Sequence, residues 1–262
     1  MFDAKLNGDT RLFISEYELS GIENMAMSYS AQQNTFKPLG TNGGFTNIAG
    51  KPDQTLSFSR YLIYDDPIFD YISGDPISGS LHYENSSYGF FSGYLTDYSV
   101  NCAVGSVPKV NAAFFVADEM KPAASASGSN LHPNIDIPTQ GSISLVCDHK
   151  STNRVIGFDY ALKCEHRMYY GIGSENLQDV EFVPPIQYTA NIQIEVDDAF
   201  LASGYDFLDE RENKTLSFNM QGRTGTLLQS VDLPNASLVG ENLSMSAEGA
   251  LRLTLNYVGH GY

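Results

Sequence analysis

Gln187–Ser203 reads QYTANIQIEVDDAFLAS, a strict alternation of polar and apolar residues that runs into two aspartates and a short apolar stretch. The apolar face of this alternation consists of Tyr188, Ala190, Ile192, Ile194 and Val196. A period of two residues is typical of a strand with one buried face. The sequence therefore predicts a half-buried strand here, followed by a short helix.

The same plan occurs earlier in the chain, at Thr55–Tyr71, which reads TLSFSRYLIYDDPIFDY. One face of this segment is again apolar, apart from Arg60, and consists of Leu56, Phe58, Leu62 and Tyr64. Two copies of one plan predict an internal repeat. Matching the two Asp-Asp pairs sets the correspondence between the copies.

Two adjacent aspartates end each of these strands, and we expect them to cap helices. The four residues are Asp65, Asp66, Asp197 and Asp198. An aspartate accepts hydrogen bonds from the free N–H groups of a helix start, where Pro67 is also tolerated. The expected helices are Pro67–Ile72 and Ala199–Ser203. A metal or acid/base site is the other interpretation, but adjacent carboxylates of a strand point to opposite faces.

The segments around these units follow one order in both halves. Ile22–Ser30 and Ile156–Cys164 are amphipathic, and each precedes a long irregular loop, Gln33–Asp53 or Gly171–Pro185. Three or four more strands follow in each half, and their short connections favour antiparallel pairing. The predicted fold class is all-β with short helices, as two tandem antiparallel β-sandwich domains.

The middle of the chain is the expected boundary between the domains. Ala117–Gln140 is rich in small residues, serine and proline, and it lacks apolar periodicity. A structureless loop of this length is uncommon within one compact domain. We therefore predict a first domain at residues 1–118, a linker at 119–140 and a second domain at 141–262. The alternative is a single domain with one long surface loop.

The two long loops carry apolar side chains at equivalent places. These residues are Phe36, Phe45 and Ile48 in the first loop, and Val180, Phe182 and Val183 in the second. A repeated loop with aromatic residues suggests contact with another subunit. Alternatively, these side chains fold back as a lid on the core of their own domain.

Composition excludes several classes of protein. The 262 residues include 31 acidic and 15 basic side chains, for a net charge of −16. Gripping nucleic-acid phosphates requires clustered Lys and Arg, which a chain so poor in bases does not supply. Three cysteines are an odd number, so a disulfide framework is not expected. No run of about 18 apolar residues occurs, so we expect no membrane partner.

Motifs for catalysis or cofactor binding give no convincing site. The spacings GxxxxGK[ST], GxSxG and HExxH do not occur. Cys147-Asp148-His149 and Cys164-Glu165-His166 share one order, but they lack the CxxC spacing of zinc sites. We therefore expect no enzyme activity, no cofactor and no metal. A Cys/His nucleophile pair stays open, because only the fold can position its members.

The strand, Asp-Asp and helix units at Thr55–Ile72 and Gln187–Ser203, with the loops before them, resemble the tail-tube proteins of long-tailed bacteriophages. The resemblance extends over Arg11–Val116 and Ser142–Tyr257. It implies a β-sandwich with a short flanking helix, and a long loop or hairpin that bridges neighbouring subunits or stacked rings. Some members of that family carry two such domains in tandem and form trimers with pseudo-sixfold symmetry.

The resemblance implies a structural virion protein, made in the host bacterial cytoplasm and located in the tail. Its partners would be further copies of itself, as trimeric rings stacked head to tail, and other phage tail proteins. Double-stranded DNA would pass through the tube without sequence-specific binding, since an acidic lumen repels phosphates. The alternatives are a distal-tail or tail-terminator ring of the same virion, or a lectin-like two-domain binding module.

Overall fold

The all-β fold class is confirmed. The computed structural model describes residues 11–15, 17–31, 33–36, 45–48, 53–63, 66–83, 86–122, 136–147, 150–171, 177–196, 214–245 and 251–261. Within these ranges, most residues lie in antiparallel strands and a single short 3₁₀ helix, Pro67–Ser73, interrupts them. The small share of Lys and Glu and the many β-branched and aromatic residues favour this outcome.

The strands of the first half, in chain order, are β1 Arg11–Ile14, β2 Tyr17–Leu19, β3 Ile22–Ser30, β4 Gln33–Phe36, β5 Phe45–Ile48, β6 Asp53–Tyr61, β7 Ile77–Tyr83, β8 Ser86–Ala103, β9 Lys109–Val116 and β10 Lys121–Pro122. Those of the second half are β11 Ile143–Cys147, β12 Lys150–Thr152, β13 Val155–Tyr170, β14 Leu177–Val196, β15 Lys214–Gln221, β16 Leu227–Met245 and β17 Leu251–Gly261.

Strand β8 passes from one layer of the first half to the other. Its residues 86–93 pair with β7, which continues to β1 and β2, and its residues 93–101 pair with β9, which continues to β6 and β3. Leu12 and Ile14 from one layer join Leu56 and Phe114 from the other in the hydrophobic core. The two layers therefore pack face to face, as in a β-sandwich.

The second half repeats this connectivity strand by strand. Every pairing among seven strands of the first half recurs among seven strands of the second. The strands that correspond are β1 and β11, β2 and β12, β3 and β13, β6 and β14, β7 and β15, β8 and β16, and β9 and β17. Three register shifts also fall at matching places: Ile22/Asn24 and Val155/Gly157, Ile77/Gly79 and Lys214/Leu216, and Leu95/Asp97 and Leu238/Gly240. Because these bulges mark single positions along a strand, they give a residue-by-residue correspondence between the halves.

That correspondence corrects the alignment made on the Asp-Asp pairs. The first bulge begins opposite Arg60 in one half and opposite Ile194 in the other. Arg60 therefore corresponds to Ile194, whereas the Asp-Asp pairs equate it with Ile192. The sequence alignment is wrong by two residues. A slip of two leaves every side chain on its predicted face, so periodicity alone could not detect it.

Both predicted loops also contain paired strands. The second, Gly171–Pro185, is largely strand, because β13 and β14 continue beyond the core as a long hairpin. The first contains the short hairpin β4–β5, in which Phe36 lies opposite Phe45. Pro184 and Pro185 suggested a loop, but they sit at an irregularity of the β13–β14 ladder, where a missing N–H is tolerated.

The two halves are joined through one sheet. Residues 97–103 of β8 pair antiparallel with residues 157–163 of β13. The predicted linker at 119–140 is described only at its ends: Lys121 lies opposite Gly89, and Pro138 accepts a hydrogen bond from the Gly105 N–H. The proposed division at residues 118 and 141 stays a prediction, since the sheet and the core continue across it.

Candidate functional site

Eight of the described strands form one continuous antiparallel sheet, called here the wall sheet. Its order is β3-β6-β9-β8-β13-β14-β17-β16, with all neighbours antiparallel. Each half supplies four strands in the same order. The β8–β13 pairing in the middle, called here the inner junction, therefore joins two equivalent units edge to edge.

One face of the wall sheet is polar and mostly uncharged. Cross-strand register places Ser99 beside Asn111 and Asn191 beside Asn256, and the Asn191 amide donates to Asn256 at 2.9 Å. Outside the long β13–β14 hairpin, the described charged residues on this face are Glu23, Asp53, Asp97, Asp159 and Glu195, with Lys109, Lys163 and Arg252. The hairpin adds Glu165, Arg167, Asp179 and Glu181. Hydroxyls and amides therefore dominate its chemistry.

The bases of the polar face lie beside acids. Lys109 forms an ion pair with Glu23, with 2.9 Å between Nζ and Oε2. Lys163 lies directly opposite Asp97 in the ladder, and the Arg252–Glu195 pair is arranged in the same way. Opposite charges at facing positions stabilise a sheet modestly, and they leave little unbalanced charge on its surface.

Asp159 lies in the middle of the polar face, within the inner junction. Partial burial raises the pKa of its carboxyl group above the ordinary value. The side-chain amide of Asn101, its cross-strand neighbour, donates a hydrogen bond to it. Shallow surface depressions follow this face, one lined by Asn101, Asn111 and Asn191. The arrangement suits a hydrated inner surface better than a catalytic site.

Except along β3 and the end of β16, the other face of the wall sheet is buried under the second layer, and it contains a polar network at the inner junction. Arg60, fully buried, forms an ion pair with Asp66. Tyr98 donates to Asp66 Oδ2 at 2.9 Å, and the Gln229 amide donates to the hydroxyls of Tyr98 and Tyr160. The network therefore links the two halves of the chain.

Two details of the network explain its stability. The Asp66 side chain also accepts a hydrogen bond from the Ile68 N–H at 3.0 Å, which makes it the N-cap of the 3₁₀ helix. Burial raises the pKa of Tyr98 well above its ordinary value, so its hydroxyl stays protonated and available as a donor. Arg60, the polar exception on the apolar face of β6, thus forms an ion pair with the residue that caps the helix.

The other predicted caps, Asp65, Asp197 and Asp198, and the predicted helix Ala199–Ser203 lie outside the described residues. The predicted contact residues lie on two hairpins: Phe36, Phe45 and Ile48 on β4–β5, and Val180, Phe182 and Val183 on β14.

Phe182 packs within its own chain. Its ring lies 5.7 Å from that of His166, and a Cβ placed on Gly74 would lie 2.6 Å from it. This contact gives Phe182 the role of a cover over its own core. Contact of the six residues with another subunit stays a prediction.

The cysteines and histidines do not assemble a site in the described structure. The residues described contain no group of three or more His, Cys, Asp or Glu side chains placed to hold a metal ion. Burial raises the pKa of both Cys102 and Cys164 to about 12. Neither thiol therefore ionises near neutral pH, and neither resembles an activated nucleophile.

Sequence reasoning missed the two outer edges of the wall sheet, β3 and residues 237–245 of β16. Among the described strands, β3 pairs with β6 alone, and this part of β16 pairs with β17 alone. Large apolar side chains are exposed there: Tyr29 at 63%, Leu243 at 58% and Met245 at 73%. Apolar and polar residues alternate in these segments as they do in any half-buried strand. The sequence therefore does not reveal that these residues lie at an edge of the sheet.

No protein-family model and no curated protein matches this sequence. Within the described part of the chain, no helix has the length and apolar character needed to span a lipid bilayer.

Proposed function

We propose that this chain is a structural protein of the tail of a long-tailed bacteriophage, and that it forms the tail tube as stacked trimeric rings. The observation that carries this proposal is the inner junction. There, one four-stranded unit pairs edge to edge with an equivalent unit, and the two form one continuous sheet. A four-stranded unit that pairs with an equivalent unit along one edge can pair with another along its second edge. Repetition of this contact can close a ring.

The two faces of the wall sheet support one orientation within such a ring. The second layer of each half covers the apolar face, so this bulky layer would lie outside. The polar face would line the lumen. Because Lys109, Lys163 and Arg252, like Arg167 on the hairpin, lie beside acids, the wall offers phosphates few free cations to bind. Outside the hairpin, the described acids of this face outnumber its bases by five to three, so the lumen would be polar and only mildly acidic.

The number of strands supports three chains to a ring. With strands about 4.8 Å apart and tilted by about 40°, 24 strands give a closed wall about 50 Å across between backbones. Two chains give only about 30 Å, from which side chains of opposite walls take about 10 Å. Three chains therefore leave the wider lumen that a hydrated DNA duplex needs.

Electron microscopy of the purified protein, alone and with other tail components, tests the proposal. We expect rings with a central opening, and stacks of such rings at high concentration. A monomer that persists at high concentration and does not assemble with other tail components would overturn it. Copy number per particle separates a tube, which consists of many stacked rings, from a distal-tail or tail-terminator ring, which occurs once.

A further inference from the structure

We propose that neighbouring chains pair through the two outer edges of the wall sheet, β16 of one copy with β3 of the next, in the register of the inner junction. The proposal rests on the proposed function in that both require copies of this chain to associate. It adds a defined interface, because the matching bulges equate β16 with β8 and β3 with β13. The junction that β8 and β13 form within a chain would form again between chains.

The register follows residue by residue. In the inner junction, Cys102 lies opposite Phe158, Val100 opposite Tyr160 and Tyr98 opposite Leu162. Replacing each by its counterpart gives the following pairs on the same face of the new junction: Met245 with Met25, Leu243 with Met27, and Glu241 with Tyr29. On the polar face the counterparts are Ser244 with Ala26, Asn242 with Ser28, and Gly240 with Ser30.

These pairs are chemically compatible on both faces. On the apolar face, methionines meet a methionine and a leucine, and the Tyr29 hydroxyl can donate to the Glu241 carboxylate. On the polar face, small uncharged side chains oppose one another, and no like charges meet. A slip of one residue would put the apolar side chains opposite polar ones, so the faces themselves select the register.

Burial at the inner junction shows what pairing does to these positions. Val100 and Cys102 are each 1% exposed, whereas their counterparts Leu243 and Met245 are exposed at 58% and 73%. Equivalent positions of these two equivalent strands are therefore covered in one half and exposed in the other. A partner strand at the edge of β16 would remove this difference.

Both outer edges lack two of the common blocks to strand pairing. Natural sheet edges are commonly blocked by lysine, proline, a bulge or a covering segment. Neither β3 (IENMAMSYS) nor residues 237–245 of β16 (SLVGENLSM) contains a lysine or a proline. The positions proposed to pair follow the bulges at Ile22/Asn24 and Leu238/Gly240. Such edges are templates for strand addition, and the inner junction identifies a second copy of this chain as the strand that fits.

Cysteine cross-linking of the full-length protein tests this register. The in-register pairs are Ser28→Cys with Asn242→Cys on the polar face, and Met27→Cys with Leu243→Cys on the apolar face. In an antiparallel pair of strands, the facing residues on one face are of the non-hydrogen-bonded type, whose Cα atoms lie closer together. One of the two cysteine pairs therefore has the spacing that suits a disulfide. The matched control combines Ser28→Cys with Ser244→Cys, a diagonal pair about 7–8 Å apart, which is too far for a disulfide.

Each cysteine is placed in a separate preparation, and the preparations are then mixed and oxidised. We expect covalent dimers only when an in-register pair is mixed, and a ladder of higher multimers when both cysteines are in one chain. The native Cys102, Cys147 and Cys164 are buried and free, so the unmodified protein serves as the background.

The alternative outcomes are distinct. Rings in the microscope without in-register dimers, or with dimers from the control pair, would overturn this interface and leave the proposed function standing. Dimers from a single variant alone would indicate pairing of one edge with itself and would overturn it too. Absence of both rings and dimers would overturn the interface and the proposed function together.

Discussion

The inner junction and the outer edges of the wall sheet occupy equivalent positions in two halves with one connectivity, yet their side chains differ in kind. At the inner junction, Tyr98 and Tyr160 are buried and take part in a hydrogen-bonded network with Gln229. Their counterparts at the edges are Glu241 and Met27. A junction within one chain can rely on fixed polar geometry, whereas flexible methionine suits a surface that meets a separate molecule.

The halves differ again one strand away. Arg60 and Asp66 form a buried ion pair in the first half, while the counterpart of Arg60 in the second half is Ile194, which is also fully buried. One half therefore fills this position with charge and the other with hydrocarbon. Buried ion pairs add little net stability over apolar contacts, but they are costly to break on one side.

Making the first half resemble the second at this position should give the largest effect on stability. Arg60→Ile leaves the Asp66 carboxylate buried without its cation, at a cost of about 3–5 kcal/mol. The free energy of unfolding in urea, followed by circular dichroism, measures the loss.

Adding Asp66→Ser to Arg60→Ile removes the buried charge and keeps a side chain that can cap the helix. We expect this double variant to regain most of the lost stability. Equal stabilities of the single and double variants would show that the uncompensated charge is not the cause.

A charge at the outer edge should affect assembly without affecting the fold. Leu243→Glu would bury a carboxylate in the proposed interface, and about 3 kcal/mol corresponds to a loss of association of about 100-fold. Analytical ultracentrifugation of the variant, across a range of concentrations, measures the change.

Tyr17→Glu is the matched control, because Tyr17 is 52% exposed on β2, at an edge of the other layer. It should assemble normally. Equal impairment by both variants would mean that any added acid weakens assembly, and the comparison between junction and edge would lose its support.

Removing the polar link between the halves should have a smaller effect. Gln229→Leu deletes the donor to the hydroxyls of Tyr98 and Tyr160, and we expect a loss of about 1–3 kcal/mol in unfolding free energy. Gln187→Leu, an exposed position on β14, serves as the control in the same urea titration. If both variants unfold at the same midpoint, the network does not stabilise the inner junction.

The smallest expected effect concerns pH and the hairpin of the second half. His166 lies between the rings of Tyr94 and Phe182, and burial lowers its pKa below the ordinary value of 6.5. The unfolded chain therefore binds the proton more readily, so this histidine reduces stability as the pH falls below about 6.5.

The measurement compares unfolding free energies at pH 7.5 and pH 5.5 for the unmodified protein and for His166→Gln. The unmodified protein should lose more stability on acidification than the variant does. His260→Gln, at an exposed position, should behave like the unmodified protein. Identical losses in His166→Gln and the unmodified protein would contradict the assignment to His166.

Much of the fold could be predicted from local pattern. The alternation in β14 correctly placed Tyr188, Ile192 and Ile194 in the core, because a period of two leaves a strand few alternatives. Asp66 and Pro67 marked a helix start for equally local reasons, since capping involves neighbours in sequence.

The features that required coordinates depend on distant partners. The bulges that fix the correspondence of Arg60 with Ile194 leave no signal in hydrophobic periodicity. Tyr98 and Gln229 are 131 residues apart, and only the paired strands bring them together. The edges were missed for a related reason: whether Leu243 is covered depends on what lies beside its strand.

The peptide chain connects the two units of the inner junction, and this has a consequence for how an assembly would come apart. A tethered pair closes at an effective concentration in the millimolar range, whatever the amount of protein in solution. In a ring, pairings within a chain would alternate with pairings between chains, and only the pairings between chains would weaken on dilution. A dissociating tube would thus release whole chains, each with its two four-stranded units still paired. At low protein concentration, half of the pairings of the ring, those within chains, would stay intact.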